Sequence, residues 1–202
     1  LDRRARRAGP WRREGRGNSS YVRIQGLLTI RQLAAARTFF EGEAVQQMMD
    51  EGDLFNHSAN TSRSSRVAWI ERHDVEGGPS IPQWLHARLR NAAKAGHAVY
   101  GDRVAKVGVD KNGKWTPRFE PLQYAEYAEG SHYRDWHTDA EEPEEDPEDA
   151  RCLTVVVLLS DRSAFSGGHF EAKLGGKCNT GTPTRIALEA GDAIVFLSKH
   201  LW

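Results

Sequence analysis

Leu122-Gln-Tyr124-Ala-Glu-Tyr127-Ala-Glu-Gly130-Ser-His-Tyr133-Arg-Asp-Trp136-His137-Thr-Asp139 is the stretch on which the reading of this chain turns. Tyr124 to Tyr127 is short and aromatic, as a strand is, and Gly130 marks a tight turn after it. His137 and Asp139 stand at i and i+2, so on extended backbone their side chains leave the same face and converge on one cation. An imidazole and a carboxylate so placed are two of the three ligands of a 2-His-1-carboxylate triad, the set that leaves open positions on non-haem Fe(II). By itself His-x-Asp also describes an ordinary hydrogen-bonded surface pair, so its weight depends on the flanking sequence.

Downstream, the chain reads as strands: Thr154 to Leu159, His169 to Ala172, Ile186 to Leu188 and Ala193 to Phe196 are short apolar or alternating runs separated by Gly, Pro, Asn and Asp. Thr154 to Leu159 is continuously apolar, which predicts a strand buried on both faces. Ser160-Asp161 with Phe165-Ser-Gly167-Gly168, and Gly191-Asp192, read as hairpin turns. Asp139 to Asp149 holds eight acidic residues in eleven and two Pro, the composition of a solvated loop.

Upstream, Thr29-Ile-Arg-Gln32 is a capping box that opens a helix to about Asp50, broken near Gly42. Glu51 to Ser65 reads as a loop and Arg66 to Ile70 as a strand. A second box, Ser80-Ile-Pro-Gln83, opens a helix expected to stop at Gly96. Residues 1–20 carry seven Arg between Arg3 and Arg16 with no apolar period, which predicts a disordered basic arm. The expected organisation is therefore an arm over 1–20, a helical support region over 21–117 and a strand-rich domain over 118–202. The fold class is mainly β with flanking helices, a jelly roll or double-stranded β-helix.

Composition narrows the alternatives. With 202 residues, 39% of them apolar, there is material for one core. Equal numbers of basic and acidic residues, 28 each, argue against a nucleic-acid binder. No apolar run is long enough for a membrane span and no apolar leader is visible. Cys152 and Cys178 make no four-cysteine zinc site. Asn18, Asn56 and Asn60 open glycosylation triplets, which leaves the compartment undecided.

Taken in order, the stretch 122–139, Arg151 to Asp161, Phe165 to Gly168, Arg185 to Leu188 and Gly191 to Ser198 resemble the Fe(II)- and 2-oxoglutarate-dependent dioxygenases, in the prolyl 4-hydroxylase-like branch. The resemblance covers residues 118–202 strongly and 63–117 loosely. It implies that His137 and Asp139 hold Fe(II), that Tyr127 binds 2-oxoglutarate, and that Tyr133 and Trp136 wall the cleft. Three residues separate Tyr133 from His137 where two are common in the family. It further implies decarboxylation of 2-oxoglutarate coupled to C–H hydroxylation, with O2 as co-substrate and ascorbate keeping the iron reduced. The expected substrate is a prolyl residue in a peptide or protein, with free amino acids second.

The second His of the triad is expected a few residues after the Gly191-Asp192 turn. It is either His200 or a residue beyond Trp202, and the basic residue that clamps 2-oxoglutarate would lie further on. The chain thus reads as incomplete at its C-terminus, expected to bind Fe(II) weakly and not to turn over. His169 lies in the wrong strand for a ligand, and His57, His73, His86 and His97 lack partners at ligand spacing. The competing readings are a non-catalytic jelly-roll binding module or inactive fragment, and a zinc hydrolase built on His137 and Asp139.

Overall fold

The computed structural model describes residues 11–14, 20–51, 63–72, 78–104, 115–133, 135–140, 151–174 and 181–201. Cys178, His57, His73, the asparagines of the three glycosylation triplets and most of the acidic run after Asp139 lie outside them. The described elements are mainly antiparallel strands with three helices, and they divide into two compact units, one within 1–33, 88–117 and 137–202, the other within 34–87 and 118–136.

The first unit is built on a four-stranded antiparallel sheet in the order β1 (Trp11–Glu14), β2 (Tyr21–Ile24), β11 (Ala193–Leu197), β8 (Leu153–Val157). Two further strands, β9 (Phe170–Leu174) and β10 (Thr182–Ile186), pair with each other, Phe170 opposite Ile186. Tyr21, Ile194 and Phe196 of the larger sheet share one core with Ala172 and Ile186 of the smaller, and Phe170 lies 6.3 Å from Phe196, ring to ring. Alternation sends the other side chains of β11 outward, where helix α3 (Gln83–Tyr100) covers them. A Cβ on Gly96 of α3 would stand 2.5 Å from Cγ1 of Val195. The Tyr100 hydroxyl donates to the carbonyl of Ser20 at 2.8 Å. Covered on both faces, all five residues of β11 are buried.

Several expectations are corrected here. The strand buried on both faces is β11, whereas β8, an edge strand, is half-buried throughout. Gly167-Gly168 and Gly191-Asp192 are not hairpin turns, because β9 pairs with β10 while β11 pairs with β2 and β8. The chain crosses between sheets at both places. Gly191 makes its crossing with φ of 87°, and a Cβ there would lie 2.7 Å from the Leu28 carbonyl oxygen. Asp192, 5% exposed, closes this corner by accepting from Arg23 (2.8 Å), the Gly26 amide (2.8 Å) and the Glu189 amide (3.2 Å).

The arm expected over 1–20 contains a strand. β1 pairs with β2 from Trp11 opposite Ile24 to Glu14 opposite Tyr21, and Tyr21 donates to Glu14 at 2.5 Å while Arg13 donates to Ser20 at 2.9 Å. An edge strand keeps one side in water, so its Arg residues do not oppose pairing. The sheet also disregards the division expected at 117 and 118, since β2 lies between β1 and β11. Helix α3 starts at Gln83 rather than at Ser80 and runs through Gly96 to Tyr100. Gly96 does not end the helix; its missing side chain lets the helix approach the sheet.

In the second unit β3 (Asp50–Glu51), β5 (Arg66–Ile70) and β6 (Leu122–Glu126) form a three-stranded sheet, and β4 (Arg63–Ser64) pairs with β7 (His132–Tyr133). The first capping box forms as read: the Thr29 amide donates to Gln32 at 3.1 Å and the Gln32 amide to the Thr29 hydroxyl at 3.3 Å, opening α1 (Ile30–Phe40). Helix α2 (Glu43–Gln46) follows the break at Gly42. Phe40 stacks on Tyr124 at 4.5 Å, and Gln46 donates to Glu126 at 2.9 Å.

Candidate metal centre

The His137-Thr-Asp139 segment is not a strand; it is irregular chain held against the ends of β11 and β8. The amides of Asp139 and Ala140 both donate to the Ser198 carbonyl, at 3.0 and 3.3 Å, and the Ser198 amide donates to Cys152 at 3.1 Å. Arg151 donates to the Asp139 carbonyl at 2.5 Å, and Thr138 closes a local turn onto the Ala140 carbonyl at 3.1 Å. These bonds do what strand geometry was expected to do. They bring both side chains to one side.

His137 Nε2 faces Asp139 Oδ1 at 3.4 Å, with side-chain exposures of 42% and 25%. That separation is longer than a good N–H···O bond. Two neighbouring ligands of an octahedral shell, each about 2.1 Å from the metal, stand about 3 Å apart, so the two donor atoms fit adjacent positions on one cation. Burial by itself would raise the Asp139 carboxyl; the nearby His137 and Thr154 side chains, and the charges of His137 and Arg151, outweigh it and hold the group below the usual carboxylate range. An acid kept ionised is ready to ligate without first losing a proton.

His200, expected as the third ligand, does not join this pair in a metal-holding group. His200 is exposed in the turn after β11, its amide bonded to the Leu197 carbonyl at 3.0 Å. Desolvation and the positive charges of Arg103 and Lys199 lower its pKa. Among the described residues no three His, Cys, Asp or Glu side chains come together as a metal-holding group. Tyr127 follows β6 and is 49% exposed rather than turned into a core. The buried phenol on that strand is Tyr124, which donates to Glu126 at 2.8 Å. His169 is exposed, His97 stacks on Trp115 at 4.2 Å, and His86 packs edge-on against Phe119. Thr154, fifteen positions beyond Asp139, was read only as a strand residue and Ser198 only as the end of the motif after Gly191; nothing in an apolar run marks a residue that meets Asp139.

Comparison with known proteins bears on the same region. The family model of the 2OG-Fe(II) oxygenase superfamily matches residues 122–202. No curated protein sequence matches the chain. The crystal structure of a Pseudomonas putida prolyl-4-hydroxylase is similar in fold, with a TM-score of 0.57 at 17% identity, covering 90% of this chain and 82% of that one. Among the described residues no helix is long and apolar enough to cross a membrane. Residues 122–202, which carry His137 and Asp139, thus match the 2OG-Fe(II) oxygenase superfamily model, and the chain is similar in fold to a prolyl-4-hydroxylase.

Proposed function

We propose that the protein is a non-haem Fe(II) dioxygenase that couples 2-oxoglutarate decarboxylation to C–H hydroxylation, on a prolyl residue of a peptide or protein in preference to a free amino acid. The observation that carries this reading is the convergence of His137 and Asp139 at 3.4 Å within the segment matched by the oxygenase family. The two packed sheets of the first unit are read as the two faces of a double-stranded β-helix, with the pair at one end of β8 and β11.

In this reading His137 and Asp139 hold Fe(II), and the bound iron with 2-oxoglutarate and O2 supplies the oxidising power. The chain contributes the ligand geometry. Asp139 enters as an anion because Thr154 and Arg151 support its charge. Its main chain is fixed by Ser198, so the carboxylate does not need to be ordered when a cation arrives. Tyr127 is assigned to the 2-oxoglutarate carboxylate on the resemblance alone, and its exposed phenol is accessible to such a ligand. Ascorbate is expected as the agent that keeps the iron reduced.

The test is the absorbance that develops when Fe(II) and 2-oxoglutarate are added together without oxygen. It is expected with the wild-type chain and lost in His137→Ala. On admission of O2, gain of one oxygen atom by a proline-containing peptide, and not by free proline, supports the substrate class and overturns the expectation that this chain does not turn over. An absorbance that His137→Ala leaves intact removes the assignment.

A further inference from the structure

We infer that the outer face of the β3–β5–β6 sheet, around Trp69, is a docking surface for an extended basic segment of a partner polypeptide. The inference concerns the second unit alone and stands apart from the reading of His137 and Asp139 as ligands.

The inner face of this sheet is occupied. Register sets Ala68 opposite Tyr124 and Arg66 opposite Glu126; Tyr124 stacks on Phe40, and Arg66 reaches Glu126 at 3.7 Å. Alternation sends Val67, Trp69, Gln123 and Ala125 to the other face, with Trp69 opposite Gln123 and Val67 between Ala125 and Asp50. On that face Val67 is buried, whereas Trp69 is 48% exposed and Asp50 and Gln123 are exposed beside it. Along Met48, Met49 and Asp50 the chain is exposed, buried and exposed again, so Met48 leaves on the side of Asp50. Among the described residues four large apolar side chains are exposed, and three of them, Met48, Trp69 and Tyr127, belong to this unit. Apolar groups gathered on one face and rimmed by polar ones mark an interaction surface.

Charge selects the occupant. Asp50 stands diagonal to Trp69 across the strand pair, which sets their Cβ atoms about 7–8 Å apart. Glu71 follows Trp69 by two residues with buried Ile70 between them, so it lies on the same side, about 6.6 Å along an extended chain. The one basic residue of the three strands is Arg66, and it is on the inner face. The second unit as a whole carries twelve Asp and Glu against six Arg and no Lys, a net charge of −6 in a chain that is neutral overall. Such a field repels phosphate backbones and anionic lipid and attracts cations. An Arg or Lys side chain meets all three features at once: its charge pairs with Asp50 or Glu71, its head lies on the Trp69 indole, and its aliphatic stem covers Met48. On an extended segment alternate residues share a side, so two such side chains can face the sheet together.

The test is calorimetric titration of the full chain with a hexapeptide of alternating Arg and Gly, at two ionic strengths, with circular dichroism of each variant alongside. One saturable site is expected, weaker at the higher ionic strength, and none for the peptide with Glu in place of Arg. Trp69→Leu keeps an apolar side chain and removes the indole; it should weaken binding by about 10-fold. Asp50→Asn with Glu71→Gln should weaken it by about 5-fold and flatten the salt dependence, and this exposed, isosteric pair carries the test should Trp69→Leu fail to fold. Wild-type affinity in both variants, or no binding by the wild-type chain, overturns the inference. Sedimentation that shows wild-type self-association abolished by Trp69→Leu makes a second copy the occupant and overturns it too.

Discussion

Replacing Gly96 by Ala sets two effects of known sign against each other. In an isolated helix the change stabilises by about 1 kcal/mol, because Ala is the better helix former. In this protein the new Cβ would lie 2.5 Å from Val195 Cγ1, 3.4 Å from Val195 Cβ and 3.5 Å from Leu153 Cδ1. Carbon atoms rest at about 3.5–4.0 Å, so the first contact is short by about 1 Å. Val195 cannot rotate away cheaply: it is β-branched, fully exposed to none of the solvent, and held between β2 and β8. Overpacking of this kind costs about 1–3 kcal/mol, which exceeds the propensity gain. The net expectation is a loss of about 1 kcal/mol, or a fall in Tm of about 2–4 °C for a chain of this size. Thermal melting followed by circular dichroism measures it. Gly101→Ala is the control, since nothing lies within 4 Å of a Cβ there, and it should leave Tm unchanged. Val195→Ala combined with Gly96→Ala should recover part of the Gly96→Ala loss as a coupling energy. A Gly96→Ala variant that melts above wild type would refute the claim that α3 lies directly on β11.

Tyr100→Phe removes a buried hydroxyl that donates to the Ser20 carbonyl, and urea denaturation should show a loss of about 1 kcal/mol. Burial, outweighing the Ser20 bond and the nearby Arg13 and Arg103, pushes the Tyr100 phenol up to about 12, so its ultraviolet titration should complete only as the protein unfolds in alkali. Asp192→Ala leaves Arg23, whose side chain is 14% exposed, without its partner, and should cost about 3 kcal/mol by the same denaturation measurement. Burial would raise the Asp192 carboxyl, but the bonds from Arg23, Gly26 and Glu189 lower it below its unfolded value. Its contribution is therefore complete above the ordinary carboxylate range and is lost as pH falls through the folded value. Stability measured from pH 6 downward, with the ordinary Asp pKa of about 3.9 as reference, should decline less steeply in Asp192→Ala than in wild type.

What the sequence disclosed follows from how local each signal is. The capping box at Thr29 and the strand at Arg66 to Ile70 depend on residues a few positions apart, and both appear where they were read. The pairing of β2 with β11 joins residues from opposite ends of the chain, and no local pattern marks it. That is why Gly191-Asp192 looked like a hairpin and is a crossing, and why Thr154 to Leu159 looked like an interior strand and is an edge. The Arg-rich start concealed β1 for a related reason: charge predicts solvation, and an edge strand is solvated too. At the site, His137 and Asp139 were legible as a pair, although irregular chain tied to Ser198, not strand alternation, brings them together. Tyr127 was assigned to 2-oxoglutarate on the resemblance alone; it follows β6, which ends at Glu126, and the phenol stacked within that unit is Tyr124.

The most direct measurement is an anaerobic Fe(II) titration of the wild-type chain and of Asp139→Ala, followed by calorimetry. The account predicts one saturable site in wild type and none in Asp139→Ala, with the fold retained in both. Equal Fe(II) binding by the two proteins would contradict it.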